Sequence, residues 1–296
     1  MKRYIILLAA ILAPVFSLAA DEEIERSFDM GDIDSLVISY RWGDVTLALT
    51  DGGSLVIRER LRRTASAGVE NAGGVLRITG AKMPWFFGWT AGNTAHIAVP
   101  RSFQGSFRLD LRSGTLKGAD DFSTAGEVEI SLSSGIIEMK RLGARKIDLR
   151  VSSGTFRSLG LYGESRIKVS SGSVFCAGLE GSAHRLEARS GSLRIGRGRG
   201  IFDAAVHSGN ISLEMAGLDG NLSFNVRSGN VRLALPEGAA FNLDAETSSG
   251  SVSVRSADGG YEVKDRSSVA RPIGENPRHT VFARVASGDI EIGFVR

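Results

Sequence analysis

The sequence predicts an all-β chain, a parallel β-helix or β-solenoid of about 19-residue rungs with Ser-Gly corners, and three observations carry that reading. Glycine is abundant at 37 residues and proline scarce at 6, a balance that favours short strands joined by tight turns. A Ser-Gly pair returns at Gly114, Gly135, Gly154, Gly172, Gly191, Gly209, Gly229, Gly250 and Gly288, in steps of 21, 19, 18, 19, 18, 20, 21 and 38. Around each glycine, apolar and polar residues alternate with period two, which is the mark of a half-buried strand.

Taken in chain order, residues 1–20 come first. Met1-Lys2-Arg3 precedes an apolar run from Tyr4 to Leu18, and Ser17-Leu18-Ala19 meets the small-x-small requirement for cleavage after Ala19 or Ala20. This predicts a secretory signal peptide and an exported mature chain, periplasmic, cell-surface or secreted. No cysteine follows the run, and no later stretch is apolar and long enough to span a bilayer.

Residues 21–106 read as an N-terminal cap with degenerate rungs, one continuous domain with residues 107–296. Weak copies of the repeat start at Gly43 (Val45, Leu47), Gly53 (Leu55, Ile57) and Gly74 (Leu76, Ile78). Between them lie a basic stretch from Arg58 to Arg63 and an aromatic insertion containing Trp85, Phe86, Phe87 and Trp89. Four large aromatics within five residues are too crowded for alternation to bury them all. They predict either a lid on the coil or an exposed contact for a partner, glycan or lipid surface.

Residues 107–296 form the regular repeat. The second residue after each glycine is apolar throughout: Leu116, Ile137, Phe156, Val174, Leu193, Ile211, Val231, Val252 and Ile290. The fourth is mostly apolar (Met139, Cys176, Ile195, Leu213), while the third is mostly charged (Lys117, Glu138, Arg157, Arg194, Arg232, Glu291). A unit this short cannot close a core alone, so neighbouring units must stack about 4.8 Å apart. A second corner, just after a buried leucine, is expected at Leu142-Gly143, Leu159-Gly160, Leu179-Glu180-Gly181 and Leu218-Asp219-Gly220. The final step of 38 reads as two rungs of 19, one near Ser267-Ser268 having lost its glycine or been replaced by a loop. A proline-interrupted surface loop is expected from Arg271 to Pro277.

Chemistry is sparse in this pattern. Without Lys2 and Arg3, 34 basic residues face 33 acidic ones, which speaks against nucleic acid as a partner. Cys176 shares an inward column with Ile195 and Leu213 and reads as an inert core thiol. His96, His184, His207 and His279 show no ligand spacing and are assigned surface or cap places, so no metal and no cofactor is expected. Acids facing outward, such as Glu129, Asp148, Glu187, Glu214 and Glu291, fall on different rungs and columns and form no evident carboxylate cluster for acid–base work, although a pair from neighbouring rungs could still meet. The outward Arg157, Arg194 and Arg232, with Arg189 and Arg227, are suited to a polyanionic envelope polymer, while the interspersed Glu138 and Glu291 argue for an ordinary mixed surface.

The stretches Trp42-Gly43-Asp44-Val45-Thr46-Leu47, Ser171-Gly172-Ser173-Val174, Ser249-Gly250-Ser251-Val252-Ser253-Val254 and Ser287-Gly288-Asp289-Ile290-Glu291-Ile292 resemble the bacterial "putative adhesin" family known as domain of unknown function 4097. The likeness covers residues 35 to 296 or so and departs from the common form in the aromatic insertion and in Ser or Asn at many corners where Asp is usual. It implies an envelope or secreted β-solenoid. The function expected is therefore a non-enzymatic binding or surface protein, its partner a protein, glycan or envelope polymer. A periplasmic scaffold or envelope-stress component, with end-to-end self-association, is the alternative. A carbohydrate-active enzyme stands third.

Overall fold

The computed structural model describes residues 22–61, 66–80, 94–255 and 260–295, and strand is the only regular element among them. The signal peptide expected at residues 1–20 and the aromatic segment Trp85, Phe86, Phe87 and Trp89 lie outside the described residues.

From Ser106 to Pro236 the chain coils so that each turn lays a strand beside the previous one, parallel and in register. One long wall, wall A, runs through Ser35–Tyr40, Ser106–Leu111, Glu127–Leu132 and then the segments at 146–151, 165–169, 184–188, 202–206 and 222–226. Past the glycine that follows each of these strands lies wall B, made of Asp44–Thr50, Thr115–Gly118, 136–139, 155–158, Ser173–Cys176, 192–195, 211–214 and 231–236. A third, narrow wall C links Phe122–Ser123 to segments at 142–143, 160–162, 179–180 and 198–199.

Period-two alternation explains why these residues make walls with a filled interior. Leu116, Ile137, Phe156, Val174, Leu193, Ile211, Val231, Val252 and Ile290 are all buried, as are Leu111, Leu132, Val151, Val169, Val206, Val226 and Val285 before the corner. Each such side chain contributes about 1.5–3 kcal/mol by leaving water. The corner itself is a column of glycines. The Gly114 carbonyl accepts from the Ile136 N–H at 2.9 Å, and the Gly135 carbonyl from the Thr155 N–H at 2.9 Å. A side chain at Gly172 would collide with the Gly154 carbonyl although its φ is not positive. At Gly229 the collision with Gly209 is joined by φ 135°. Close approach between rungs is thus the requirement these corners share, with positive φ added at some of them.

Several expectations are corrected. The step of 38 holds no missing rung. His279–Ser287 and Ile290–Val295 insert between the rung at 222–236 and the rung at 241–255, so Gly288 stacks between Gly229 and Gly250. The intervening Tyr261–Arg266 and Ser268–Ile273 run antiparallel along the outermost rung, and Pro272 sits in that edge strand, where a missing N–H is tolerated. The N-terminal end is built likewise. The rung at Gly43 lies between 106–118 and an outer rung of Val75–Thr79 and Thr94–Pro100. Gly74 therefore leads into wall A and not a Ser-Gly corner, and Gly53 leads into Ser54–Leu61, an antiparallel cover. Glu22–Asp29 pairs beyond it, setting Glu25 against Arg58 at 2.6 Å.

At the second corner, Leu142 and Leu179 are buried as expected, but Leu159 is 57% exposed. Ser158 takes the inward slot, its hydroxyl donating to the Lys140 carbonyl, and alternation turns Leu159 out. Leu161 fills the column instead, in register with Leu142 and Leu179.

Candidate functional site

With the interior filled, the chemistry lies on the outer faces. Wall A carries an ion-pair ladder. Register sets Arg108, Glu129, Asp148 and Arg166 in one outward column, with Asp110, Arg150, Lys168 and Glu187 in the next. Arg108 meets Asp110 at 3.0 Å and Glu129 at 3.2 Å, while Arg150 pairs with Asp148 at 2.9 Å and also with Glu129. Glu129 and Asp148 are therefore neighbours on adjacent rungs, which linear spacing concealed. Both are engaged by Arg150, whereas a two-carboxylate catalytic pair needs oxygens directed at a reactant. Farther along, Glu187 is shared by Arg166, Lys168 and Arg185, each at 3.0 Å. Burial alone would raise its carboxyl. The hydrogen bonds from Lys168 and Arg166 outweigh that and hold it below the usual carboxylate range.

Wall B is different in kind. Ile136 (38% exposed), Leu159 (57%) and Phe175 (42%) stand outward on three consecutive rungs. Phe175 lies opposite Arg157 in register, which places it diagonal to Leu159 on the same face. Of the arginines the sequence singled out, Arg157 meets Glu138 at 3.2 Å and Arg232 meets Glu291 at 2.8 Å. Glu291 also pairs with Arg255 at 3.0 Å. Arg189, Arg194 and Arg227 are exposed and enter no ion pair among the described residues. Glu214 is exposed on the same wall.

The polar column beside the corner explains the Ser and Asn residues found where Asp was expected. The Asn210 side-chain oxygen accepts from the Asn230 N–H, Asn230 accepts from the Asp289 N–H, and Asp289 accepts from the Ser251 N–H. Amide and carboxylate serve this ladder equally well, so the corner does not depend on an ion.

Inside, one polar pair went unforeseen. His184, expected at the surface or in the cap, is buried in an inward column between Ser165 and Phe202. Its Nε2 donates to the Arg199 carbonyl at 2.9 Å, which leaves Nδ1 to accept from the Ser165 hydroxyl at 2.6 Å. Burial holds the imidazole below its ordinary value despite the bond to Arg199, so it stands neutral as a core plug against Phe202. The alternation His184, Leu186, Ala188 was the signal that would have found it. Burial also pushes the Cys176 thiol up to about 12, as befits an inert core residue. Among the described residues, no group of three His, Cys, Asp or Glu side chains is placed to hold a metal, and no helix is long and apolar enough to cross a membrane.

The fold is shared with solved structures of low sequence identity. A "putative lipid binding protein" from Parabacteroides distasonis ATCC 8503 superposes with a TM-score of 0.56 at 13% identity, covering 93% of this chain and 97% of that one. A "putative adhesin" from Parabacteroides merdae ATCC 43184 gives 0.51 at 11% identity, with the same two coverages of 93% and 97%. No curated protein matches the sequence. The pattern of the Toastrack DUF4097 family matches residues 33–293, and with nearly the whole described coil inside that match, the chain belongs to the Toastrack DUF4097 family.

Proposed function

We propose that the chain is an exported, non-enzymatic protein of the bacterial envelope that acts through its outer walls as an adhesin-like binding surface. The rungs of about 19 residues with Ser-Gly corners supply a rigid frame, and export follows cleavage after Ala19 or Ala20. The observation that carries the reading is wall B, where Ile136, Leu159 and Phe175 stand exposed on consecutive rungs, with Arg194 opposite Phe175. Exposed aromatic and arginine side chains on a rigid face are the composition of binding hot spots. The carboxylates of wall A, by contrast, are taken up by arginine, which weighs against hydrolytic or lyase chemistry. The names of the two structural neighbours, one an adhesin and one a lipid-binding protein, agree with a binding role. Any acyl chain would meet Leu159 and Phe175 from outside, since the interior is filled.

The competing reading is a periplasmic scaffold that stacks end to end. The outer edges oppose it. Glu22–Asp29 (EEIERSFD) is laden with charge, Tyr261–Arg266 (YEVKDR) likewise, and Ser268–Ile273 contains Pro272, all devices that discourage strand addition.

Protease treatment of intact expressing cells tests the proposal, with a known periplasmic protein as control. Digestion of the chain while the control survives is the expected result. Survival until the envelope is opened would overturn surface display and favour the scaffold.

A further inference from the structure

One stretch of the coil is free of acid. On three consecutive rungs, the segments 188–194, 205–212 and 225–232 contain no Asp or Glu, and they carry Arg189, Arg194, His207, Arg227 and Arg232. Register stacks them. Ala188, Val206 and Val226 are successive partners in wall A, so Arg189, His207 and Arg227 follow one another along the coil at the same outward position, about 4.8 Å per rung. Arg194 flanks the corner from wall B.

Arg189 and Arg227 stand two rungs apart on this column, and neither they nor Arg194 enter an ion pair among the described residues. Of the acids nearest the strip, Asp203 and Glu214 are exposed two positions beyond the middle segment and enter no ion pair among the described residues, while the others are committed elsewhere. Glu187 serves Arg166, Lys168 and Arg185; Glu246 and Asp244 serve Arg284; Asp289 accepts from Ser251; Glu291 serves Arg232 and Arg255. Between the basic side chains run the exposed hydroxyls of Ser190, Ser208, Ser228 and Ser192, with the amides of Asn210 and Asn230.

From this juxtaposition we infer that the corner bearing Arg189, His207, Arg227 and Arg194 is a docking strip for a linear anionic glycan lying along the coil axis. The proposal rests on the binding-surface reading and names its ligand class. The geometry suits such an occupant in two ways. The guanidinium groups of Arg189 and Arg227 stand two rungs apart, about 9.6 Å, a spacing that alternate carboxylates of an extended sugar chain can meet, each pair able to form two parallel hydrogen bonds. The serine and asparagine groups between them offer donors and acceptors to sugar hydroxyls, which a bare phosphate polymer does not possess. Arg157 and Arg232 lie outside the strip's function because Glu138 and Glu291 already neutralise them.

The test measures binding of the purified chain to polygalacturonate, with dextran as the uncharged polymer and inorganic polyphosphate as the sugar-free polyanion. Two double variants with the same change in charge are compared, Arg189→Ser with Arg227→Ser and Arg157→Ser with Arg232→Ser. Each is first checked for an unchanged melting transition, which exposed positions should preserve. Expected are polygalacturonate binding that weakens as salt rises, a loss of about tenfold or more in the first variant, and near-native binding in the second. Equal losses in both variants would reduce the effect to net charge and overturn the proposal. So would absent polygalacturonate binding, equal binding of dextran, or stronger binding of polyphosphate. These outcomes are read on the purified chain, so failure here leaves the protease test on cells to judge surface display separately.

Discussion

His184 illustrates at the scale of a residue what the repeat could and could not disclose. The inward columns were legible, because period-two alternation fixes which side chains share a face. A polar residue in such a column is invisible to a search for apolar letters, and so Ser158, Ser165 and His184 were missed and Leu159 was placed on the wrong side. The corner glycines were legible as turns. Their close approach to the neighbouring rung was not, because it depends on stacking rather than on local conformation. The buried imidazole has a measurable consequence. Burial holds His184 below its ordinary 6.5 in the folded chain, while the unfolded chain takes up the proton near that value. Stability should therefore be level above pH 6.5 and fall as the pH drops below it, at no more than about 1.4 kcal/mol per pH unit. Urea unfolding from pH 7.5 down to 5 measures this, and His184→Gln should flatten the slope. An equal slope in that variant would refute the assignment.

Among the elements, the end covers were the least legible, since an antiparallel strand and a coiling strand share the same period. Glu22–Asp29 and Ser54–Leu61 are locked by a buried contact: Glu59 pairs with Arg26 at 2.8 Å and accepts twice from the Ala67 N–H, at 3.0 and 3.1 Å. Arg26 in turn donates to the Ala67 carbonyl at 2.8 Å. Glu59 is almost fully enclosed, so removing it leaves the Ala67 amide without its acceptor and the Arg26 guanidinium without its counter-charge. Glu59→Ala should cost about 3 kcal/mol, measured by chemical denaturation, whereas the joint change Arg26→Met with Glu59→Leu should cost clearly less. A single variant as stable as the parent would show that the cover is held by strand pairing alone.

For the whole molecule, the walls matter more than the order in which the chain builds them. The candidate face on wall B and the basic corner were partly legible, because outward residues could be read rung by rung. Their neighbours across rungs were not: Glu129 beside Asp148, or Glu291 between Arg232 and Arg255, become visible only when stacking is known. Sequence spacing carries no information on a rung inserted out of order, as the pair His279–Ser287 and Ile290–Val295 is. That insertion is the central claim about how the walls are made, and paired cysteines test it directly. Ser228 and Ser287 are in-register partners, and Ser249 lies beyond Ser287. After mild oxidation, Ser228→Cys with Ser287→Cys should close a disulfide and titrate in denaturant as the single native thiol of Cys176. Ser228→Cys with Ser249→Cys should keep all its thiols free. A disulfide in the second pair and none in the first would mean that the rungs stack in chain order, contradicting the account.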